Sequence, residues 1–312
     1  MPRNKKKSTM KIRIGTDCSG IDAPIQALRN LGIDHEHVFS SDIETRCIHS
    51  LNANYDIPVI FGDTEGPYPN GDITIRCIDD VPDLDLYVCG FPCQPFSMAG
   101  SRRGFSDTRG TVFWSCMDVI RCKQPKYFVL ENVKSLMTHD SGNTWETIMR
   151  ELYSLDGYTI HHRVLNTKDY GIPQNRERIW IVGVKGATQF EWPSPISSVP
   201  LRSLVDDTDQ TRYEWRRKQE LDVSPGSIFV DLDFLKYTNY PNAHVISPCV
   251  VARSSHWCVP YHRYATTVEL LRLQGFPDTF KQVVPNSYFK KQIGNSMSVC
   301  VVEAIFAQLI VT

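Results

Sequence analysis

The sequence predicts an α/β protein with a mainly parallel sheet covered by helices on both faces, and a second, smaller irregular or β region. Two observations lead to this class. Short apolar stretches alternate with segments of helical spacing over residues 11–185, as they do in βαβ units. Residues 186–262 are instead rich in Pro, Ser, Asp and Trp without a sustained period, and helical spacing resumes near residue 266.

The first half supplies the regular elements. Its apolar stretches are short and are bounded by turn residues, which is typical of buried strands. The predicted strands cover residues 11–17, 37–42, 59–63, 84–90, 126–132 and 179–184. The predicted helices cover residues 24–31, a segment ending near residue 51, and residues 111–122.

The second half is predicted to close the fold. Residues 227–232 and 244–252 have short β-like patterns, residues 266–274 are helical, and residues 296–311 form an apolar helix that packs back on the first part. These patterns divide the chain into a basic tail at residues 1–10, a main domain built from residues 11–185 plus 263–312, and a small domain at residues 186–262.

Composition excludes several classes of protein. The 312 residues carry 34 basic and 35 acidic side chains, so the chain lacks the basic excess of proteins that coat nucleic acid. No unbroken apolar run reaches the ~20 residues of a membrane span, so no membrane partner is expected. The ten cysteines are scattered without a CxxC pair, which predicts neither a disulfide scaffold nor a metal site. A reduced, intracellular protein is the simplest interpretation.

The ends of the predicted strands carry polar residues that suggest chemistry. Ligands gather at the carboxyl ends of the strands of open parallel sheets. Gly20, Asp42 and Cys93 follow three such ends, and Glu131 and Asn132 follow a fourth. Each also has a plain structural interpretation, such as a turn glycine, a helix-capping aspartate or an incidental cysteine. Among the ten cysteines, only Cys93, between Pro and Gln in GFPCQPFS, is flanked on both sides by residues typical of loops.

Taken together and in order, these stretches resemble a known family. The ordered stretches are GFPCQPFS (90–97), ENV (131–133), QNRERIWIVG (174–183), RLQGFPDTF (272–280) and KQIGNSM (291–297). The chain resembles DNA cytosine-5 methyltransferases of bacterial and viral modification systems, from about residue 11 to 185 and from about 263 to 310. The resemblance implies a Rossmann-like sheet that uses S-adenosylmethionine and releases S-adenosylhomocysteine, with the target-recognition region at residues 186–262.

The resemblance also implies a mechanism. Cytosine C5 becomes nucleophilic once a thiolate has added to C6, and Cys93 is the matching thiol. Glu131, protonated through burial, is expected to hydrogen-bond the ring at N3. Arg178 is expected at O2, and Arg176 of the same motif is predicted to belong to the catalytic site. The target base must be flipped out of the duplex to reach them.

The family resemblance also predicts which residues contact the cofactor and the DNA. The predicted cofactor residues are Cys18, Ser19, Gly20, Ile21, Asp42, Ile43, Asp72, Ile73, Pro92, Asn295 and Ser296. The predicted DNA contacts are Gln94, Ser97, Arg102, Arg103 and Arg109, in a loop that closes over the flipped base. Double-stranded DNA is the expected substrate of a monomer, and a cognate restriction endonuclease is a candidate partner. The expected location is a bacterial cytoplasm, a virus-infected cell or a nucleus.

Three positions depart from the family pattern. Cys18 replaces a phenylalanine and Asp22 a glycine in the loop after the first strand, and Val268 replaces an arginine. We expect Cys18 to lose part of an aromatic contact with adenine, so that Cys18→Phe tightens cofactor binding three- to tenfold, a range worth about 0.6–1.4 kcal/mol. Asp22 adds a carboxylate near the methionine end of the cofactor, where it would repel the cofactor's carboxylate if it faced that group and help if it faced the ammonium. Val268 is expected to weaken support of the recognition region.

Two other functions fit parts of the pattern. A tRNA methyltransferase shares the chemistry, but the roughly 75 residues of the irregular region favour DNA, and the Cys-Phe-Thr signature of that branch is absent. A non-enzymatic DNA-binding relative is disfavoured by the intact Cys93, Glu131, Arg176 and Arg178.

Overall fold

The computed structural model describes residues 11–92, 112–186, 189–208, 226–233, 244–253 and 255–310. Within these, the predicted α/β class is confirmed. The strands of the main sheet are β1 Ile12–Asp17, β2 His35–Ser41, β3 Ile60–Phe61, β4 Leu86–Cys89, β5 Tyr127–Val133, β6 Tyr158–Asn166 and β7 Glu177–Lys185. The helices are α1 Ala23–Asn30, α2 Thr45–Asn54, α3 Val112–Lys123, α4 Asn143–Tyr153, α5 Thr267–Gln274, α6 Asn286–Asn295 and α7 Val299–Ile310.

The main sheet has seven strands in the order β3-β2-β1-β4-β5-β7-β6. The first five are parallel, and β7 lies antiparallel between β5 and β6. The carboxyl ends of β1, β2, β4 and β5 therefore meet at one edge, which positions the residues that follow them.

Both faces of this sheet are buried. In β4 and β5, Leu86, Val88 and Val129 face one hydrophobic cluster, together with α1 and α7. The alternate residues, including Tyr87 and Leu130, face a second cluster with α3 and α4. Because successive side chains point to opposite faces, burial on both sides explains the continuous apolar runs of these strands.

A small antiparallel sheet lies in the second half, in the order β10-β9-β8, with β8 Phe229–Asp231, β9 His256–Cys258 and β10 Arg263–Tyr264. Its third strand extends two residues past the predicted boundary at 262. Residues 244–252, predicted as a β-like piece, form no strand. Their one backbone bridge joins Ser247 to Gln174, and they pack across the start of β7.

Among the described helices and strands, five are not predicted from the sequence, namely α4, β6, β9, β10 and α6. β6 is an edge strand, and its central His161, His162 and Arg163 interrupt the apolar pattern. The predicted last helix begins at Val299 and not at 296. Counted together, α6 and α7 (Asn286–Ile310) are long and apolar enough to cross a membrane by length and composition. In this protein, 61% of their most apolar stretch is buried inside the fold.

Candidate active site

Asp42 organises the edge where β1 and β2 end. Its Oδ2 accepts a hydrogen bond from the Gly20 N–H at 2.9 Å, and its Oδ1 accepts one from the Glu44 N–H at 2.9 Å. Burial raises the pKa of the Asp42 carboxyl, against the lowering effect of these two backbone bonds. The predicted residues Gly20 and Asp42 are thus in direct contact, 22 positions apart in the chain.

Two glycines bring the Asp72 segment to the same edge. A Cβ on Gly62 or Gly71 would lie 2.3 or 2.1 Å from the Asp42 carbonyl oxygen, so only glycine permits this approach. Asp72 follows directly, and its Oδ1 accepts from the Thr74 N–H at 2.9 Å. The repeated Gly-Asp of FGD (61–63) and NGD (70–72) is the sequence signal of this close approach.

A buried ion pair, also unpredicted, holds the far end of this segment. The Arg76 guanidinium donates to both Asp17 carboxylate oxygens at 2.7 and 2.8 Å and lies 4.6 Å from the Phe61 ring centre. The Tyr87 hydroxyl donates to Asp17 Oδ2 at 2.7 Å. Burial and the Asp17 charge raise the pKa of Tyr87, which keeps it a donor. The Asp72 segment is therefore clamped at both ends.

The edge between these anchors is open and fits a nucleoside-bearing cofactor. Nothing lies within 4 Å of a Cβ built on Gly20, and the Ile43 side chain is 75% exposed beside Asp42. Ile73 is buried below, and Asn295 is exposed. Ile21 is fully buried in the core and does not line the open edge.

Asp22 does not face this edge. Its side chain is fully buried and turned inward, where Oδ2 accepts from the Ser40 hydroxyl. Neither alternative considered for Asp22, facing the cofactor's carboxylate or facing its ammonium group, is met, because the loop folds the Asp22 carboxylate inward.

Glu131 and Arg178 form the centre of the second half of the candidate site, on the β5–β7 side. They lie on the adjacent strands β5 and β7. Glu131 is paired with Trp180, and Arg178, two residues before Trp180, is the diagonal neighbour of Glu131. Arg178 Nε is 3.2 Å from Glu131 Oε1, and both side chains are largely buried. Burial raises the pKa of the Glu131 carboxyl, while Arg178 and Arg176 oppose the shift.

The end of β4 lies against this carboxyl. A Cβ on Gly90 would be 2.9 Å from Met297 Cε and 3.5 Å from Glu131 Oε2. The Phe91 carbonyl accepts from the Asn132 side-chain amide at 3.2 Å, which ties β5 to the half-buried Pro92. The predicted residues Cys93, Gln94, Ser97, Arg102, Arg103 and Arg109 lie outside the described residues.

Arg176 is engaged with the backbone of two distant segments. Its terminal nitrogens donate to the carbonyls of Val250 at 2.7 Å, Gly294 at 3.3 Å and Ser296 at 2.6 Å. Its Nη1 is also 3.5 Å from Cys249 Sγ. Its Nε is buried without a hydrogen-bond partner among the described residues. The guanidinium therefore joins β7 to both segments.

The Gly294 segment is fitted closely to its neighbour. A Cβ on Gly294 would lie 2.3 Å from the Val251 carbonyl carbon, so residues 250–252 pack directly on its backbone. The Gln274 amide donates to the carbonyls of Ile293 at 2.8 Å and Ser296 at 3.3 Å. These contacts fix Asn295 and Ser296 beside the Arg176 guanidinium. Of the residues that make them, only Gly294 stands out in the sequence, within KQIGNSM.

Support between α5 and the small sheet comes from Arg263 and not from residue 268. Arg263 and Glu269 form a fully buried pair with two contacts of 2.8 Å, and Arg263 also donates to the Asp206 carbonyl at 2.9 Å. Val268 is half-buried one residue away. An ion pair thus already bridges the region that the Val268 departure was expected to weaken.

Comparison with known proteins agrees with this geometry. The family described as C-5 cytosine-specific DNA methylase matches residues 17–311. The Type II methyltransferase M.HaeII of Haemophilus aegyptius is 43% identical over 286 residues, covering 88% of this chain and 86% of that protein. M.NgoBI of Neisseria gonorrhoeae is 38% identical over 277 residues, covering 86% and 84%. The crystal structure of S. pombe Dnmt2 methyltransferase shares the fold, with a TM-score of 0.66, 20% identity and coverage of 96% and 98%.

Proposed function

The chain belongs to the family of C-5 cytosine-specific DNA methylases, and from this premise we propose that it methylates C5 of a cytosine flipped out of double-stranded DNA, with Cys93 as the nucleophile. S-adenosylmethionine supplies the methyl group when bound. The relatives are named Type II methyltransferases, and we extend the proposal to a modification enzyme with a cognate restriction endonuclease that acts inside the cell as a monomer.

One observation carries the chemical part of the proposal, namely the buried Glu131 carboxyl held by Arg178 at the end of β4. Addition of the Cys93 thiolate to C6 breaks the C5=C6 double bond and places negative charge on the ring. Glu131, with its pKa raised by burial, then donates a proton at N3, and Arg178 stabilises O2. Once C5 carries the methyl group, loss of the C5 proton to a base, expulsion of the Cys93 thiolate and return of the N3 proton to Glu131 restore the aromatic ring.

We assign Arg176 a positioning role in place of the catalytic role predicted for its motif. Its terminal nitrogens already donate to three backbone carbonyls, and a guanidinium has only five N–H donors. Its charge also contributes to the field at Glu131. Arg176 therefore acts on the base through Arg178 and Glu131.

The cofactor is assigned to the open edge beside Asp42. Asp42 retains a lone pair on each oxygen after accepting two backbone bonds and suits ribose hydroxyls. Exposed Ile43 and buried Ile73 suit an adenine face, and Asp72 suits its amino group. The backbone of residues 18–21, Pro92, Asn295 and Ser296 completes the assignment.

The nucleophile is tested with DNA that contains 5-fluorocytosine at the target position. The unmodified enzyme is expected to form a covalent adduct, because fluorine does not leave as a proton does. Cys93→Ala should abolish both adduct and methylation, while Cys122→Ala, which removes an exposed thiol on α3, should change neither. A Cys93→Ala enzyme that still methylates DNA contradicts the mechanism.

The division of labour is tested separately. Exchanging residues 186–264, which end after the third strand of the small sheet, for the equivalent region of a relative should redirect methylation to that relative's site. Bisulfite sequencing of plasmid DNA reads both the site and the type of modification. An active chimera that keeps the original site would show that recognition lies elsewhere.

A further inference from the structure

We propose that Asp22 and His37 form a buried polar network that sets the conformation of the cofactor loop, residues 18–22, and thereby the affinity for S-adenosylmethionine. The inference rests on the proposed function, because it assigns a role to the loop that the cofactor contacts. Asp22 touches no ligand in this account, so it is a positioning residue.

The network begins at the Asp22 carboxylate. Its Oδ2 accepts from the Ser40 hydroxyl at 2.6 Å and the Thr16 hydroxyl at 3.1 Å. His37 Nε2 lies 2.7 Å from Ser40 Oγ and 3.4 Å from Asp22 Oδ2. Since the single Ser40 hydrogen is used on Asp22, His37 Nε2 is the donor to Ser40.

Two further buried atoms mark the network as specialised. Asp22 Oδ1 and His37 Nδ1 lack a hydrogen-bond partner among the described residues. Buried polar atoms without partners cost free energy and are not retained for packing alone. A carboxylate is nonetheless favoured here, because Asp22 immediately precedes α1 and the helix N-terminus attracts negative charge.

The same contacts fix the loop from beneath. The Asp22 N–H donates to the Ser19 carbonyl at 2.8 Å, and the Tyr55 hydroxyl lies 3.0 and 3.1 Å from the carbonyls of Ile21 and Asp22. The Ser19 hydroxyl accepts from the Ser41 N–H at 2.9 Å. All of these bonds lie on the inner side, and the space above Gly20 is open.

The backbone explains why the loop needs such anchors. Cys18, Gly20 and Asp22 all have positive φ, at 51°, 58° and 58°. The left-handed conformation is unfavourable for a residue with a side chain, so the loop does not hold this shape through local preference. Glycine at position 22 would permit the shape, but it would supply no bond to Thr16 or Ser40.

Calorimetric binding of S-adenosylhomocysteine to the full-length protein tests the proposal. Asp22→Asn keeps the shape of the side chain and replaces one acceptor oxygen by a donor, and Asp22→Gly removes the anchor entirely. We expect affinity to fall about tenfold for Asp22→Asn and further for Asp22→Gly, on the scale of one charge-assisted hydrogen bond. Asp34→Asn, which changes an exposed carboxylate before β2, is the matched control and should bind as the unmodified protein does.

His37 supplies an independent second arm. His37→Gln retains an amide donor for Ser40 and should bind within about twofold of the unmodified protein, whereas His37→Leu should resemble Asp22→Asn. Affinity for target DNA without cofactor should stay unchanged in all these variants, which separates loop positioning from general damage.

The outcomes are distinct. If the unmodified protein does not bind S-adenosylhomocysteine, the proposed function itself fails. If it binds and folded Asp22→Asn, Asp22→Gly and His37→Leu bind equally well, this inference alone is overturned. An equal loss of DNA affinity in Asp22→Asn also overturns it, because the network would then support the whole fold.

Discussion

The two halves of the active-site edge are built with opposite charges. On the β1–β2 side, the carboxylates of Asp17, Asp22 and Asp42 accept hydrogen bonds from backbone amides, hydroxyls and a guanidinium. On the β5–β7 side, Arg176 and Arg178 donate to carbonyls and flank a carboxyl. The proposed cofactor lies against the first half and the proposed cytosine against the second.

The halves also differ in reach. The Asp22 and Asp42 carboxylates bond to residues 2 to 22 positions away, within the first two strands and the loops that follow them. Arg176 bonds to carbonyls 74 to 120 positions away, in the proposed recognition region and before α7. Damage to the first half should therefore be confined to cofactor binding, while damage to the second should affect chemistry and stability.

The largest effect is expected at Glu131. Glutamine at this position is isosteric but does not transfer a proton, so Glu131→Gln should lower the single-turnover methylation rate by about 10²- to 10⁴-fold with cofactor affinity unchanged. The protonated carboxyl is the donor, and burial raises its pKa, so the rate of the unmodified enzyme should fall as pH rises through that pKa. A Gln variant within tenfold of the unmodified rate contradicts the assignment.

Glu131→Gln also tests how the buried Glu131 carboxyl contributes to the free energy of unfolding. A carboxyl whose folded-state pKa is raised stabilises the fold below its ordinary pKa, and that contribution is lost as pH rises through the folded value. Glutamine has no such loss. Glu131→Gln should therefore be at least as stable as the unmodified protein at neutral pH, as measured by urea unfolding.

The next effect is expected at Arg176. Lysine keeps the charge but not the fork, and it leaves at least one of the three carbonyl acceptors unsatisfied. We expect Arg176→Lys to lower the free energy of unfolding by about 3–5 kcal/mol, since bonds to charged groups are worth about 1.5–3 kcal/mol each. Arg178→Lys is the matched variant and should lower the methylation rate with a smaller loss of stability.

A different result would reverse the assignment of the two arginines. If Arg176→Lys unfolds like the unmodified protein but is inactive, its buried Nε acts on the base and the motif works as the sequence predicted. Urea unfolding and single-turnover rates on the same preparations distinguish these cases.

A smaller effect is expected at Ile43, in the cofactor half. Its side chain is 75% exposed, so Ile43→Ala should change the free energy of unfolding by no more than about 0.5 kcal/mol. If the cofactor covers this side chain, affinity for S-adenosylhomocysteine should fall about five- to tenfold, the cost of losing part of a buried isoleucine. Ile196→Ala, at 61% exposure in the proposed recognition region, should leave the affinity for S-adenosylhomocysteine unchanged.

These contrasts also explain what could be predicted from the sequence. The sequence predicts β4, β5 and β7 because burial on both faces makes these strands continuously apolar, and the ends of the predicted β2 and β5 bring Asp42 and Glu131 to one edge of the sheet. β6 was missed because an edge strand tolerates His161 and His162. Long-range partners such as Arg176 with Val250 leave no local pattern, so two arginines of one motif look alike until their contacts are known.

The loop after β1 shows the same limit from the other side. The replacement of glycine by Asp22 was visible, but its direction was not, since an aspartate in the left-handed conformation can point inward or outward. The inward direction follows from Thr16 and Ser40, whose hydroxyls are buried at the ends of β1 and β2. Neither residue carries a signal of its own in the sequence.

The smallest effect on cofactor affinity is expected at Cys18, where the structure revises the sequence-based expectation of tighter binding. The Cys18 side chain packs on the core cluster of the β4–α3 face and interacts with Cys89, whose Sγ is 3.3 Å from Cys116 Sγ. A phenylalanine at φ 51° must accept an unfavourable conformation and displace this sulfur packing. Cys18→Phe should therefore lower the free energy of unfolding by about 1–3 kcal/mol and change affinity for S-adenosylhomocysteine by no more than about threefold, without tightening it.

Cys18→Ala, which keeps the backbone and adds no ring, should bind within about twofold of the unmodified protein. Calorimetry and urea unfolding on both variants decide the matter, because a stable Cys18→Phe that binds three- to tenfold more tightly would show that the ring reaches adenine and that the thiol had left that contact unfilled.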